Sequence, residues 1–185
     1  MSLAPSNRFE RSRAVGPGGR SCVVACAFFT AIIVMTCMSC SKAPLLPEIH
    51  VGRVTGVIVP PAFIADELHQ CSRETPDGEA TPAQLTHSDL EELEAGVATF
   101  LAAHPPAQKH AAVNGLDSYH RRYVGLYRHG HRRMYVSFLR INVAGPPPEW
   151  RTMTFSVCGG GVSFFGLEYD LDSHEFTHIA YNASM

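Results

Sequence analysis

The 185-residue sequence lacks a Gly-rich phosphate loop, a Gly-x-Ser-x-Gly nucleophile turn and any paired Cys-x-x-Cys set. These absences remove the usual sequence basis for nucleotide phosphate binding, for a serine hydrolase built on a strand–turn–helix, and for a structural zinc knot. No internal repeat is present, which excludes a solenoid or propeller. Basic charge is scarce beyond the first forty residues. The leader holds Arg8, Arg11, Arg13 and Arg20, four of 15 basic residues, and only Glu10 of 17 acids, leaving eleven bases against sixteen acids. A remainder of net charge −5 is ill suited to nucleic acid, which is excluded as a partner. Cysteine is scarce there too: of six, Cys22, Cys26 and Cys37 lie in the apolar leader and Cys40 closes it, so only Cys71 and Cys158 remain.

What the leader does have is an uncharged apolar run of 17 residues, Cys22 to Met38, that ends in Met38-Ser39-Cys40-Ser41. Its length falls between the about 7–15 residues of a signal peptide and the about 20 of a spanning helix, so length alone does not separate them. The arginines ahead of it hold the N-terminus on the cytoplasmic side and send the rest out. With small Ser39 just before Cys40, the segment resembles the lipobox-type export signal of bacterial lipoproteins. That resemblance implies that residues 1–39 are a signal peptide, that Cys40 is acylated, and that the partner it reaches is a membrane. Ser41, where the common retention signal is Asp, implies the outer membrane of the cell envelope. An uncleaved anchor and plain secretion are the alternatives, and all three place the rest of the chain outside the cytoplasm.

In that compartment two cysteines are more often bridged than free, so a Cys71–Cys158 disulfide is expected, worth about 3–5 kcal/mol across so long a loop. The alternative is two separate thiols. Residues 40–61, with Pro44, Pro47, Pro60 and Pro61, read as a tether holding a short strand at Val51 to Val59, and 62–185 as one domain. Gln70 to Thr86 reads as loop.

Two periods organise the domain. Ser88 with Glu91 fits a capping box, and Leu90, Leu93, Val97, Phe100 and Leu101 form one apolar stripe before Pro105 and Pro106, which predicts a helix over Ser88 to His104. From Tyr119 the period is two. Val124 and Leu126, then Met134, Val136 and Phe138, flank a turn at Arg128-His129-Gly130-His131 and predict a hairpin. Trp150 to Cys158, Val162 to Tyr169 and Glu175 to Tyr181 read as three further strands. The fold class is α+β: one amphipathic helix packed on a four- to five-stranded antiparallel meander, in two layers. Ser88 to Tyr181 resembles cystatin-like and nuclear-transport-factor-like domains. Cys71-Ser72-Arg73, Tyr119 to Gly125 and Gly160 to Asp170 resemble segments of small uncharacterised envelope lipoproteins, a resemblance that implies no reaction.

Two local patterns bear on chemistry. His174-Glu175-Phe176-Thr177-His178 satisfies the His-Glu-x-x-His pattern, which on a helix brings two imidazoles to one zinc and is the basis of an alternative reading as a secreted zinc hydrolase. On a strand the same histidines lie about 13 Å apart, too far to share a metal. The segment is therefore expected to be a strand, with no metal and no cofactor. His129 with His131, and Asp170 with Asp172, read as turn residues. Between Tyr119 and Arg140 there are six arginines and no acid. Arg121, Arg122, Arg128, Arg132 and Arg133, interleaved with tyrosines, either form a surface for a small anionic ligand or lie on a solvent face and pair with the domain's surplus acids. The sequence thus reads as an envelope lipoprotein in a non-enzymatic binding or structural role, its partner an envelope protein or that ligand.

Overall fold

The computed structural model describes residues 45–104, 115–140, 149–153 and 155–183. In chain order they form β1 (Ile49–Val51), β2 (Val54–Ile58), α1 (Ile64–Leu68), β3 (Thr81–Pro82), α2 (His87–Ala103), β4 (Tyr119–Arg128), β5 (His131–Arg140), β6 (Phe164–Asp170) and β7 (Glu175–Tyr181). One seven-stranded sheet runs β1-β2-β4-β5-β6-β7, with β3 paired to β4. Every pairing is antiparallel except β2 with β4. The class is α+β. Residues 49–58, placed by sequence in a tether, supply two strands of the sheet, turned at Gly52 with φ +59°.

The β4–β5 hairpin forms where alternation and turn chemistry predicted it. Its two loop residues, His129 and Gly130, have φ of +52° and +81°, the positive pair that a twist-matched two-residue loop requires. β6 and β7 continue the meander. Trp150 to Cys158, read as a strand, is not one: Glu149–Arg151 is a short 3-10 turn, and the described residues after it run on without strand pairing to Cys158. Its alternation of Met153, Phe155 and Val157 serves packing, since all three lie against a buried cluster.

The cap of helix α2 lies two residues before the predicted one, and the helix begins at His87. Thr86 Oγ1 accepts from the Asp89 amide at 3.2 Å, and the Thr86 amide donates to Asp89 at 2.7 Å, so the capping box is Thr86 with Asp89 and not Ser88 with Glu91. The stripe is as read. Leu90, Leu93, Val97 and Leu101 are buried against Tyr123, Met134, Val136, Phe138, Phe165 and Leu167 on one sheet face. Gly96 lets β7 approach, because a Cβ there would meet the Phe176 ring at 3.0 Å. Pro105 and Pro106 lie outside the described residues.

The opposite face is covered as well. Leu46, Val57, Val59, Ile64, Trp150 and Phe164 form a second buried cluster with Val124, Leu126, Tyr135 and Leu139. All of β6, and most of β4 and β5, is therefore buried on both sides. An antiparallel sheet with one wet face would leave its polar positions in solvent. Here they are inside.

Candidate functional site

That second covering decides where the arginines go. Arg121, Arg122 and Arg128 are buried, and each is held by a carboxylate from another element. Arg121 faces α2: its Nε donates to Glu94 at 2.9 Å, and its guanidinium lies 4.1 Å from the centre of the Phe138 ring. Tyr123 donates to the same carboxylate at 2.9 Å, and burial with the Glu94 charge pushes its phenol well above the usual range. Arg122 faces the other way and donates to Glu67 at 2.8 Å and to the carbonyls of Trp150, Thr152 and Met153. Arg128 and Arg133 share Glu168, Arg133 also reaches Asp170 at 3.3 Å, and Arg132 pairs with Asp89. A guanidinium is stable inside a fold only when paired, and these five are spent that way. The exposed anionic-ligand surface at Arg121, Arg122, Arg128, Arg132 and Arg133 is thus not what the chain builds. Pairing with the surplus acids is, though inside the fold for three of them and not on a solvent face.

The densest cluster was not legible in sequence. Ser137 stands opposite Arg122 in the β4–β5 register, and Glu67 of α1 bridges the two, accepting from Ser137 Oγ at 2.6 Å. Arg73 enters from the loop before β3 and donates to Ser137 at 2.7 Å, to Tyr135 at 3.1 Å and to Asn182 at 3.0 Å. Burial raises the Tyr135 phenol against the pull of Arg73. Gly166 makes room, since a Cβ there would lie 2.1 Å from the Tyr135 oxygen. A hydroxyl on a carboxylate is half of a nucleophile arrangement. Here Arg122 neutralises the carboxylate, Arg73 occupies the hydroxyl, and the space among Glu67, Gln70, Arg73, Ser137, Leu139, Phe155 and Val157 cannot take a water-sized sphere. The cluster joins elements of the fold.

Cys71 and Cys158 are bonded to one another beside this cluster. The bond ties the Arg73 loop to residues 155–159, with Ser72 Oγ accepting from the Gly159 amide at 2.8 Å. Asn182 Nδ2 then donates to the carbonyls of Val157 and Gly159 at 2.7 and 2.9 Å. The run Cys71-Ser72-Arg73 is legible as a motif, but the side-chain partners of Arg73 lie 62 to 109 residues away.

Of the zinc-like motif, His174 sits in the turn before β7 with φ +60°, and strand β7 begins at Glu175. His174 Nδ1 bonds the Glu92 carboxylate of α2, whereas His178 Nε2 lies 3.3 Å from the Glu74 carbonyl. The two imidazoles serve different contacts. The hydrogen bond to Glu92, with the charge of that carboxylate, raises the His174 imidazole above its ordinary value. The two turns read separately in sequence do meet: ligand-type atoms of His131, Asp170 and Asp172 lie within 4.8 Å of one another. These residues could hold a metal, but they are occupied. Asp170 accepts from the Asp172 and Ser173 amides at 3.0 Å and faces His131 at 3.1 Å and Arg133 at 3.3 Å, and Asp172 accepts from the Arg132 amide.

Open space lies elsewhere. A groove of about 450 Å³ runs along Ser72, Glu74, His104 and Ile179 to Tyr181, and another of about 310 Å³ lies between Asp66, His69, Cys71, Phe155 and Ser156. Cys40 and the leader lie outside the described residues, and among those described no helix is long and apolar enough to cross a membrane. No family model, no curated protein and no solved structure matches this chain.

Proposed function

We propose that the chain is a lipoprotein of the bacterial cell envelope, anchored through acylated Cys40, whose exported α+β domain serves a binding or structural role and not a catalytic one. One observation carries the export reading: an exposed disulfide joins residues 87 apart, a bond that persists in oxidising compartments and is rare in the cytosol. The leader supplies the orientation and the acylation site. A binding role is supported by the groove of about 450 Å³ along β7, which is open, while the space at the Glu67–Ser137–Arg73 cluster is closed. The finer address is the outer membrane.

Separation of inner and outer membranes from cells making the full chain tests this. The protein is expected with the outer membrane, its two domain cysteines unreactive to alkylation. Recovery from the cytosol with Cys71 and Cys158 both alkylated would refute the reading.

A further inference from the structure

Residues 155–159 are attached to the domain in an unusual way. They belong to no strand. Side-chain bonds hold them, from Asn182 to the carbonyls of Val157 and Gly159, to Ser72 from the Gly159 amide, and through Cys71–Cys158 itself, and Phe155 and Val157 pack on the second buried cluster, with the Phe155 ring centre 5.7 Å from the Arg122 guanidinium. Phe155 and Val157 from this strap close the space above Glu67, Arg73 and Ser137. The other side of the disulfide is held differently. Arg73 makes three buried hydrogen bonds, and the Ser72 carbonyl accepts the Ala183 amide at 2.9 Å, so the Cys71 side stays in place without the bond. Both cysteines are exposed, and the groove of about 310 Å³ reaches Cys71 from outside.

We propose that Cys71–Cys158 is a redox latch: reduction by a dithiol releases residues 155–159 from above the Glu67–Ser137–Arg73 cluster while the sheet stays folded. A thiolate of the dithiol attacks one sulfur and displaces the other as a thiol, and its second thiol then resolves the mixed disulfide. The protein gains two electrons and two protons, and the reductant leaves as a disulfide. Opening is confined to the strap because segments held by few backbone bonds open at low cost, whereas β4 to β6, paired on both sides and buried on both faces, do not. The opened form presents Glu67 and Arg73, sealed in the oxidised form, to solvent.

Hydrogen exchange on the full-length protein in detergent, oxidised and then treated with dithiothreitol, reads this directly. The bond is expected to reduce without denaturant. Amides at 155–159 should then exchange at least tenfold faster over seconds to minutes, β4 to β6 should stay protected over the same interval, and protection should return on reoxidation. Cys158→Ser should match the reduced protein. Three results would each overturn the latch: a bond that resists the dithiol until the protein is denatured, unchanged exchange at 155–159 after reduction, or loss of protection in β4 to β6 along with the strap.

Discussion

Arg122 of β4 and Glu67 of α1 meet at 2.8 Å with both side chains almost wholly out of solvent, although 55 residues separate them in the chain. The contact fixes three elements at once. It docks the short helix on the sheet, and because the same guanidinium holds the carbonyls of Trp150, Thr152 and Met153, it also satisfies a backbone that has no strand partner. One side chain stands in for a ladder.

Removing one member of this pair leaves a buried charge uncompensated. Glu67→Ala is expected to lower the unfolding free energy by about 3–5 kcal/mol, read from urea titration. Arg122→Met combined with Glu67→Leu should cost less than the sum of the two single changes, because the pair is lost only once. Additive losses would show that the pair is not the unit.

The cap of α2 gives a sharper contrast. Thr86→Ala removes the hydroxyl that accepts the Asp89 amide and should cost about 1 kcal/mol, while Ser88→Ala, inside the first turn, should fall within about 0.5 kcal/mol of wild type. The reverse order in thermal or urea unfolding would restore the Ser88 cap.

Why the cap was misplaced and the helix was not follows from what each depends on. The stripe Leu90, Leu93, Val97 and Leu101 repeats over about three turns, and any frame that keeps the stripe is a helix. The first hydrogen-bonded turn depends on a single choice between Thr86-x-x-Asp89 and Ser88-x-x-Glu91, and either satisfies the pattern. The arginines failed for another reason. Alternation along β4 and β5 shows which residues share a face, but whether the second face meets water depends on residues 150–153, 155–158 and 61–68, which reach it through long-range contacts that no local period encodes. Phe155 and Val157 alternate as a strand would, yet their segment hangs from Arg122 and Asn182. The Glu67–Ser137–Arg73 cluster carried no local signal beyond Cys71-Ser72-Arg73.

His174 is exposed, so its partner is read best by titration. Its hydrogen bond to Glu92 raises the imidazole above the ordinary value of about 6.5. The charged form is favoured in the fold, so this contact contributes fully below about pH 6.5 and is lost as pH rises through the higher folded value. Proton NMR of wild type should show a raised midpoint, and Glu92→Gln should return it toward 6.5. An unshifted wild-type midpoint would contradict the contact.

Asp170 titrates in the opposite sense. Burial would raise its carboxyl, but the Ser173 and Asp172 amides, with Arg133 and His131, outweigh that and hold it below the ordinary value of about 3.9. The stability it contributes is complete above about pH 3.9 and lost as pH falls through the lower folded value. Asp170→Asn should therefore flatten the acid limb of the stability profile. An unchanged acid limb would remove Asp170 from the turn's energetics.

The most direct test of the account is acylation of Cys40. Cells making the full chain are grown with radiolabelled palmitate, and the protein is captured and resolved under reducing conditions. The account predicts label in wild type, none in Cys40→Ser, and a wild-type protein that fractionates with membranes. Equal label in both proteins would move the modification to another cysteine such as Cys37, and absence of label from wild type recovered in the soluble exported fraction would contradict the membrane anchor itself.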